Sequence, residues 1–523
     1  MTRLILDRRQ TLFTGAALLT TGSARARNDH PVAPTTHGPV RGFRDGAVTV
    51  FRGVRYGSDT GPRRFQPPGP PVPWRDTVEA FAYGSASPQA GSEPNQSEDC
   101  LFLNVWTPGP DAERRPVMVY IHGGGYSNGS GSSPLYDGTR LAGRNDVVVV
   151  TVNHRLNLFG YAYLARLAGP GFADSGNAGQ LDLIQALRWV RDNIAGFGGD
   201  PGRVMVFGQS GGGAKIATLM ATPAAAGLFH RAATMSGQQV TASGPMNATR
   251  RTEAWLDALD MPRERAAEVA RLPVDRLLRA AQMTDPVLGY GGLSFAPVLD
   301  DRTLTRHPFY PDAPAQSAAI PMIIGNTRDE TRAFLGGDPT NFSLDWDGLP
   351  ARMNVANMRI DVAPEGVIAA YRQMYPHWSP SDVFFAATTA ARSWRGAIIE
   401  AEARAAAGTP AFVYQLDWTS PVDGGRRGAM HTDDIPLALD TVAAPGSRAQ
   451  GPQAQAMADR LSRAFVAFAR TGDPNHPGLP AWSPYDLTRR QTLILDDPSR
   501  MVDDPRGAER RLFARIPYVQ PGT

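Results

Sequence analysis

The run Val204-Met205-Val206-Phe207-Gly208-Gln209-Ser210-Gly211-Gly212-Gly213 decides how the rest of the chain is read. Residues 204–208 form a short apolar strand, residues 214–221 (AKIATLMA) have helical composition, and a serine among glycines stands between them. Gly-x-Ser-x-Gly between a strand and a helix makes a turn too tight for side chains and lifts the serine hydroxyl out at the strand's end. The N-terminus of the following helix favours negative charge developing near that hydroxyl. A five-residue match is weak by itself in a glycine-rich chain, and the flanking elements give it weight. Ser210 is therefore the candidate nucleophile.

Working outward, apolar runs of strand length recur at residues 117–122 (VMVYIH), 147–153 (VVVVTVN), 232–236, 320–325 (IPMIIG) and 412–417 (FVYQLD). Near-continuous apolar strands belong to sheets covered by helices on both faces. Residues 182–194 place Leu183, Leu187, Val190 and Ile194 at helical spacing. The pattern predicts an α/β fold with a large, mostly parallel central sheet. Residues 250–283 and 333–410 read as helical insertions. Over the carboxyl edge of such a sheet, insertions either shape a pocket or merely elaborate the structure. Neither a repeat nor a long linker divides the chain, so residues 27–523 are expected to form a single domain.

A second loop follows the strand at 117–122: His122-Gly123-Gly124-Gly125-Tyr126. It matches the HGGG-type loop whose backbone N–H groups receive a developing oxyanion. With the residue after the nucleophile, the expected donors are the N–H groups of Gly124, Gly125 and Gly211.

Further stretches extend the pattern: Phe51-Arg52-Gly53-Val54-Arg55-Tyr56, Arg64-Phe65-Gln66-Pro67-Pro68, Ser97-Glu98-Asp99-Cys100-Leu101-Phe102-Leu103-Asn104-Val105, Phe197-Gly198-Gly199-Asp200-Pro201 and Trp482-Ser483-Pro484-Tyr485. With the two glycine loops they resemble, over about residues 36–505, the type-B carboxylesterases. That family of α/β-hydrolases spans para-nitrobenzyl esterases, animal carboxylesterases and cholinesterases. The resemblance implies a Ser-His-Glu triad acting through an acyl-enzyme on a small-molecule ester, with no cofactor and no metal. Its chain order of serine, acid, histidine points to Glu330 in Asn326-Thr327-Arg328-Asp329-Glu330-Thr331, with Asp329 as the alternative acid. Thr331 stands where the family carries glycine. The catalytic base implied is His431, which follows the last apolar strand in Met430-His431-Thr432-Asp433-Asp434-Ile435-Pro436; Asp434 is expected to be structural. Before the nucleophile stands Gln209 where relatives usually carry Glu, so no preference for quaternary ammonium esters is expected. The resemblance also implies a buried ion pair between Arg64 and Glu98. It places Cys100, the chain's single cysteine, where animal members form a disulfide; without a partner it reads as a buried thiol. Carbamate, amide or polyester cleavage on the same triad, and a binding protein of the same fold, are the alternatives. Tyr126, Tyr290, Phe334, Trp394 and Trp418 are candidates for pocket walls.

Composition fits this reading. Of 523 residues 42% are hydrophobic and 20% charged, a globular balance. The net charge is +3, but Arg3, Arg8, Arg9 and Arg25 against Asp7 place that excess in the first 26 residues. The neutral remainder gives no electrostatic reason to bind nucleic acid. Arg8-Arg9, the weakly apolar residues 12–19 and Ala24-Arg25-Ala26 resemble a twin-arginine export signal cleaved before Arg27. The chain is expected to be exported, to the periplasm or beyond, and no run is long enough to span a membrane. Among 53 basic residues one is lysine, Lys215, a bias from which no function is read. Oligomeric state is not legible.

Overall fold

The central sheet is built from β1 (Phe43–Asp45), β2 (Val48–Arg55), β3 (Phe102–Thr107), β4 (Arg115–Ile121), β5 (Val148–Val152), β6 (Gly199–Gln209), β7 (Arg231–Met235), β8 (Met322–Thr327), β9 (Ala411–Leu416), β10 (Gln491–Leu495) and β11 (Arg500–Asp503). These are taken from a computed structural model that describes residues 30–520 and 522–523. The expected export signal, residues 1–26, lies outside the described residues. The eleven strands lie in the order β11-β10-β9-β8-β7-β6-β4-β5-β3-β2-β1. All pairings from β5 across to β10 are parallel. The margins β1–β2, β2–β3, β3–β5 and β10–β11 are antiparallel.

Every apolar run read as a strand is one. The run at 412–417 is not the last, however. β10 pairs parallel with β9, and a five-residue strand so far down the chain carries too little pattern to be seen alone.

The strands are apolar throughout because both faces are covered. In β4, Val117, Val119 and Ile121 face one core, together with Leu183, Leu187 and Val190 of α1 (Ala178–Asn193). The alternate residues Met118 and Tyr120 face the opposite core. That second core also holds Leu461, Phe465 and Phe468 of the long C-terminal helix (Ala454–Thr471). In the first core with α1, through Ile216, Leu219 and Met220, lies α2 (Gly211–Ala221), buried along its whole length.

From β4 the chain crosses to β5 on one side, and from β6 it crosses to β7 on the other. Such a reversal opens a crevice at the carboxyl ends of β4 and β6, and the two glycine loops leave from those ends. The insertion at 250–283 is less regular than expected. It splits into α3 (Pro245–Asp257), a 3-10 stretch (Arg263–Arg271) and α4 (Val274–Ala280). Pro262 and Pro273 cap the latter two at their N-termini and interrupt the backbone ladder. The second insertion carries α5 (Pro380–Thr389) and α6 (Arg395–Ala406), joined by a π-helical turn (Ala390–Trp394). Among the described residues no helix is long and apolar enough to cross a membrane.

Two buried polar contacts tie the front of the sheet. Arg64 pairs with Glu98 through Nε at 2.6 Å and also through Nη2. Asp182 on α1 accepts from Arg155 at 2.6 and 2.8 Å. Cys100 is fully buried, and burial raises its thiol pKa, so it is held as an inert thiol.

Candidate active site

Ser210 joins β6 to α2 with φ +55 and ψ −126. A non-glycine residue there costs about 1–3 kcal/mol and persists because its surroundings fix it. Its own N–H donates to the Met235 carbonyl of β7 at 2.7 Å. Gly211 must be glycine, since a Cβ on it would run into the backbone of Gly125. That close approach brings the loop after β4 against the start of α2.

In the loop after β4, Gly124 has φ +82 and Gly125 φ +62, and the Gly124 carbonyl accepts from the N–H groups of Ser127 and Asn128, each at 3.1 Å. Among the described residues, the N–H groups of Gly124, Gly125 and Gly211 have no protein acceptor. Below the loop lies Lys215, on α2 and fully buried. Its Nζ donates to the carbonyls of Gly125 (2.9 Å) and His122 (3.2 Å) and lies 5.6 Å from the Tyr126 ring centroid. Burial pushes its ammonium down to about 7. His122 and His154 stack beside it at 4.9 Å. Burial first, then the Lys215 charge, holds both imidazoles neutral, His122 at about 3.

Glu330 lies at the end of β8, fully buried. Its Oε1 accepts from the Thr327 N–H at 2.9 Å and the Asn326 amide at 3.2 Å, and its Oε2 lies 2.5 Å from His431 Nδ1. Burial pulls the carboxyl up, but His431 and the Thr327 N–H outweigh it, and Glu330 stays below the ordinary glutamate range. Thr331, the departure from glycine, has a use here. Its hydroxyl donates to the Phe385 carbonyl at 2.9 Å and contacts Thr388 and Thr389, pinning the acid's turn to α5.

Asp329 turns the other way. It accepts from Arg332 Nε and the Ala429 N–H, each at 3.1 Å. Asp434 is buried behind the histidine and accepts from the Tyr414 hydroxyl at 2.8 Å. Burial, then the Glu330 charge, pushes its carboxyl up to about 7.

His431 Nε2, the nitrogen away from Glu330, lies 3.1 Å from the Gln209 amide nitrogen. An amide donating there fits the tautomer with its proton on Nδ1, facing the carboxylate.

Ser210, Gly125, Gly211 and His431 share the wall of one cavity of about 380 Å³. Glu330 lies behind His431, and Gly124 one residue behind Gly125. The second insertion contributes to the wall through Phe334, Arg359 and Arg392; Tyr290 and Phe295 come from the loop after α4, and no residue of 250–283 lines it. Of the five aromatic candidates, Tyr126, Tyr290 and Phe334 line it. Trp394 and Trp418 instead pack into separate apolar clusters. Sequence reasoning missed the segment Tyr518–Gln520, which reaches back to the cavity, and gave no role to Lys215 or the two arginines.

The sequence profile of the carboxylesterase family matches residues 29–513. The chain belongs to the carboxylesterase family. It is 34% identical to the para-nitrobenzyl esterase of Bacillus subtilis over 502 residues, covering 92% of this chain and 98% of the relative. It is 33% identical to the phenmedipham hydrolase of Pseudarthrobacter oxydans over 513 residues, covering 94% and 98%. A Geobacillus stearothermophilus carboxylesterase crystal structure superposes with a TM-score of 0.82 at 37% identity, covering 92% of this chain and 99% of that one. This carboxylesterase therefore has the α/β-hydrolase fold and is a carboxylic ester hydrolase.

Proposed function

We propose that Ser210, His431 and Glu330 are the triad of a two-step acyl transfer to water. The observation that carries this is the 2.5 Å contact of Glu330 with His431 Nδ1, in a cavity wall shared by His431 and the strained Ser210. His431 Nε2 takes the hydroxyl proton as Ser210 attacks the ester carbonyl. Glu330 fixes the tautomer and stabilises the imidazolium. To accept that proton, Nε2 must exchange its contact with the Gln209 amide for one with Ser210, a contact that tightens when substrate is bound.

The N–H groups of Gly125 and Gly211, with Gly124 behind them, receive the oxyanion. Among the described residues they have no protein acceptor to release first. His431 then protonates the leaving alcohol, and water enters by the same route to free the acid. The substrate is a small-molecule ester. The leader at residues 1–26, with its paired arginines, supports export to the periplasm or beyond, leaving a mature chain from Arg27.

Turnover of para-nitrophenyl butyrate by residues 27–523, beside a Ser210→Ala variant, tests the triad. Hydrolysis lost in the variant supports it. Equal rates in the two proteins would remove Ser210 from the mechanism.

A further inference from the structure

Arg359 and Arg392 are part of the catalytic cavity's wall, and no Asp or Glu is. Among the described residues neither guanidinium has a carboxylate or hydrogen-bond partner. Each lies instead near an aromatic ring, Arg359 5.0 Å from the Tyr290 centroid and Arg392 4.5 Å from that of Phe334. Many other half-buried or buried arginines are matched by carboxylates, as Arg332 is by Asp329 and Asp382, and Arg506 by Glu509; Arg404 donates to backbone carbonyls alone, and Arg395 lies over the Tyr518 ring.

Both arginines also stand on unusual backbone. Arg392 lies in the π-helical turn between α5 and α6, a feature that gathers at functional sites. Arg359 has φ +59, in the left-handed region. Phe334 in turn lies 4.7 Å from the His431 ring, so Arg392 is one ring removed from the reacting groups. Burial, then the neighbouring Arg359 charge, lowers the Arg392 guanidinium to about 10, still charged at neutral pH. Glu330, the carboxylate whose charge is felt at Arg392, is committed to His431.

Two like charges side by side on a partly dry wall, with no acid facing them, repel each other unless an anion joins them. The guanidinium fork matches a carboxylate in two parallel hydrogen bonds. We propose that the cavity takes esters carrying a carboxylate beyond the scissile bond, received by Arg359 and Arg392; this rests on the ester-hydrolase reading above.

The test uses monomethyl esters of succinate, glutarate and adipate, each beside its dimethyl ester. The readout is the ratio of kcat/KM for half-ester over diester, which cancels any general loss of activity. In Arg359→Gln and in Arg392→Gln this ratio falls by about tenfold to a hundredfold for at least one chain length, the loss of one charged hydrogen-bonding partner. Arg392→Lys, which keeps the charge without the fork, falls between. A ratio unchanged within about threefold in both Gln variants at every length overturns the proposal. If diester hydrolysis persists in that case and is abolished by Ser210→Ala, the carboxylate claim alone has failed. If the wild-type protein hydrolyses neither ester, the carboxylate claim has failed, and para-nitrophenyl butyrate turnover beside Ser210→Ala decides the triad separately.

Discussion

Replacing Lys215 with methionine isolates what a lone buried cation does beneath a catalytic loop. The substitution keeps length and volume but removes the donors to the Gly125 and His122 carbonyls. Among the described residues no carboxylate pairs with this ammonium, and its titratable neighbours His122 and His154 are held neutral. A drop from 10.5 to about 7, at about 1.4 kcal/mol per unit, makes the protonated form cost roughly 5 kcal/mol in the folded state. The sign follows from which state holds the proton. Between about pH 7 and 10.5 the unfolded chain keeps it and the folded chain releases it, so stability rises with pH across that window. Below pH 7 the full cost is present, and above 10.5 none remains.

Against this stand two carbonyls left unsatisfied in Lys215→Met, at about 1–3 kcal/mol each. Near pH 6 the two effects nearly cancel, and the variant unfolds close to wild type. At pH 9.5 the wild-type protein has shed most of its cost, and the variant is less stable by about 3–4 kcal/mol more than it was at pH 6. Urea midpoints at the two pH values read this directly. Activity behaves differently, because the freed carbonyls flank Gly124 and loosen the donors of the oxyanion site: kcat on para-nitrophenyl butyrate falls by about 10²–10³. Parallel stability curves for the two proteins would show that Lys215 does not titrate as a buried cation. A kcat within about threefold of wild type would show that it does not position the loop.

Gln209→Glu puts a carboxylate in place of the amide donor beside His431 Nε2; it binds the imidazolium there and lowers kcat/KM at pH 7 by about tenfold. A kcat/KM within about threefold of wild type would mean that position 209 does not face the imidazole. Glu330→Gln lowers kcat by about 10³–10⁴ through the wrong tautomer. Asp329→Asn, which touches Arg332 and Ala429 instead, costs less than about tenfold; the reverse order would exchange their roles. Glu400 accepts from the Gln239 N–H at 2.8 Å, and burial pushes its carboxyl up to about 8. Folding therefore takes up a proton there between about pH 4.5 and 8, and stability falls across that window. In Glu400→Gln that fall is absent, so the variant gains up to about 5 kcal/mol on wild type between pH 4.5 and pH 8.5. Midpoint differences that stay constant with pH would contradict this.

The sheet was legible because its strands are buried on both faces, so Val147–Val152, with Thr151 its single polar residue, reads as a near-continuous apolar run. The two glycine loops, the proposed elbow and oxyanion loop, stood out in the sequence for a related reason. Backbone meets backbone at Gly211 and Gly125, and few residues other than glycine tolerate such contact. Strand β10 was not legible, because five residues isolated by a long helix and loop carry too little period. For the proposed acid the resemblance pointed to Glu330, with Asp329 as the alternative; Glu330 turns to His431 and Asp329 to Arg332 and Ala429, a direction that sequence spacing does not encode.

Specificity is written differently from catalysis in this chain. The proposed catalytic parts demand particular residue types at fixed spacing, and a sequence displays them. Arg359 and Arg392 are two among dozens of arginines, and what sets them apart is their shared place on the wall of the catalytic cavity, a property of the fold. Lys215 lies between the two cases. Its bare identity, a lysine kept in a chain that otherwise uses arginine throughout, was a readable signal. Beneath the loop a single ammonium at the end of a thin stem reaches the carbonyls of both Gly125 and His122, a compact point charge that a planar arginine fork does not reproduce. The residue that breaks the chain's own composition is the one whose head group two loop carbonyls share.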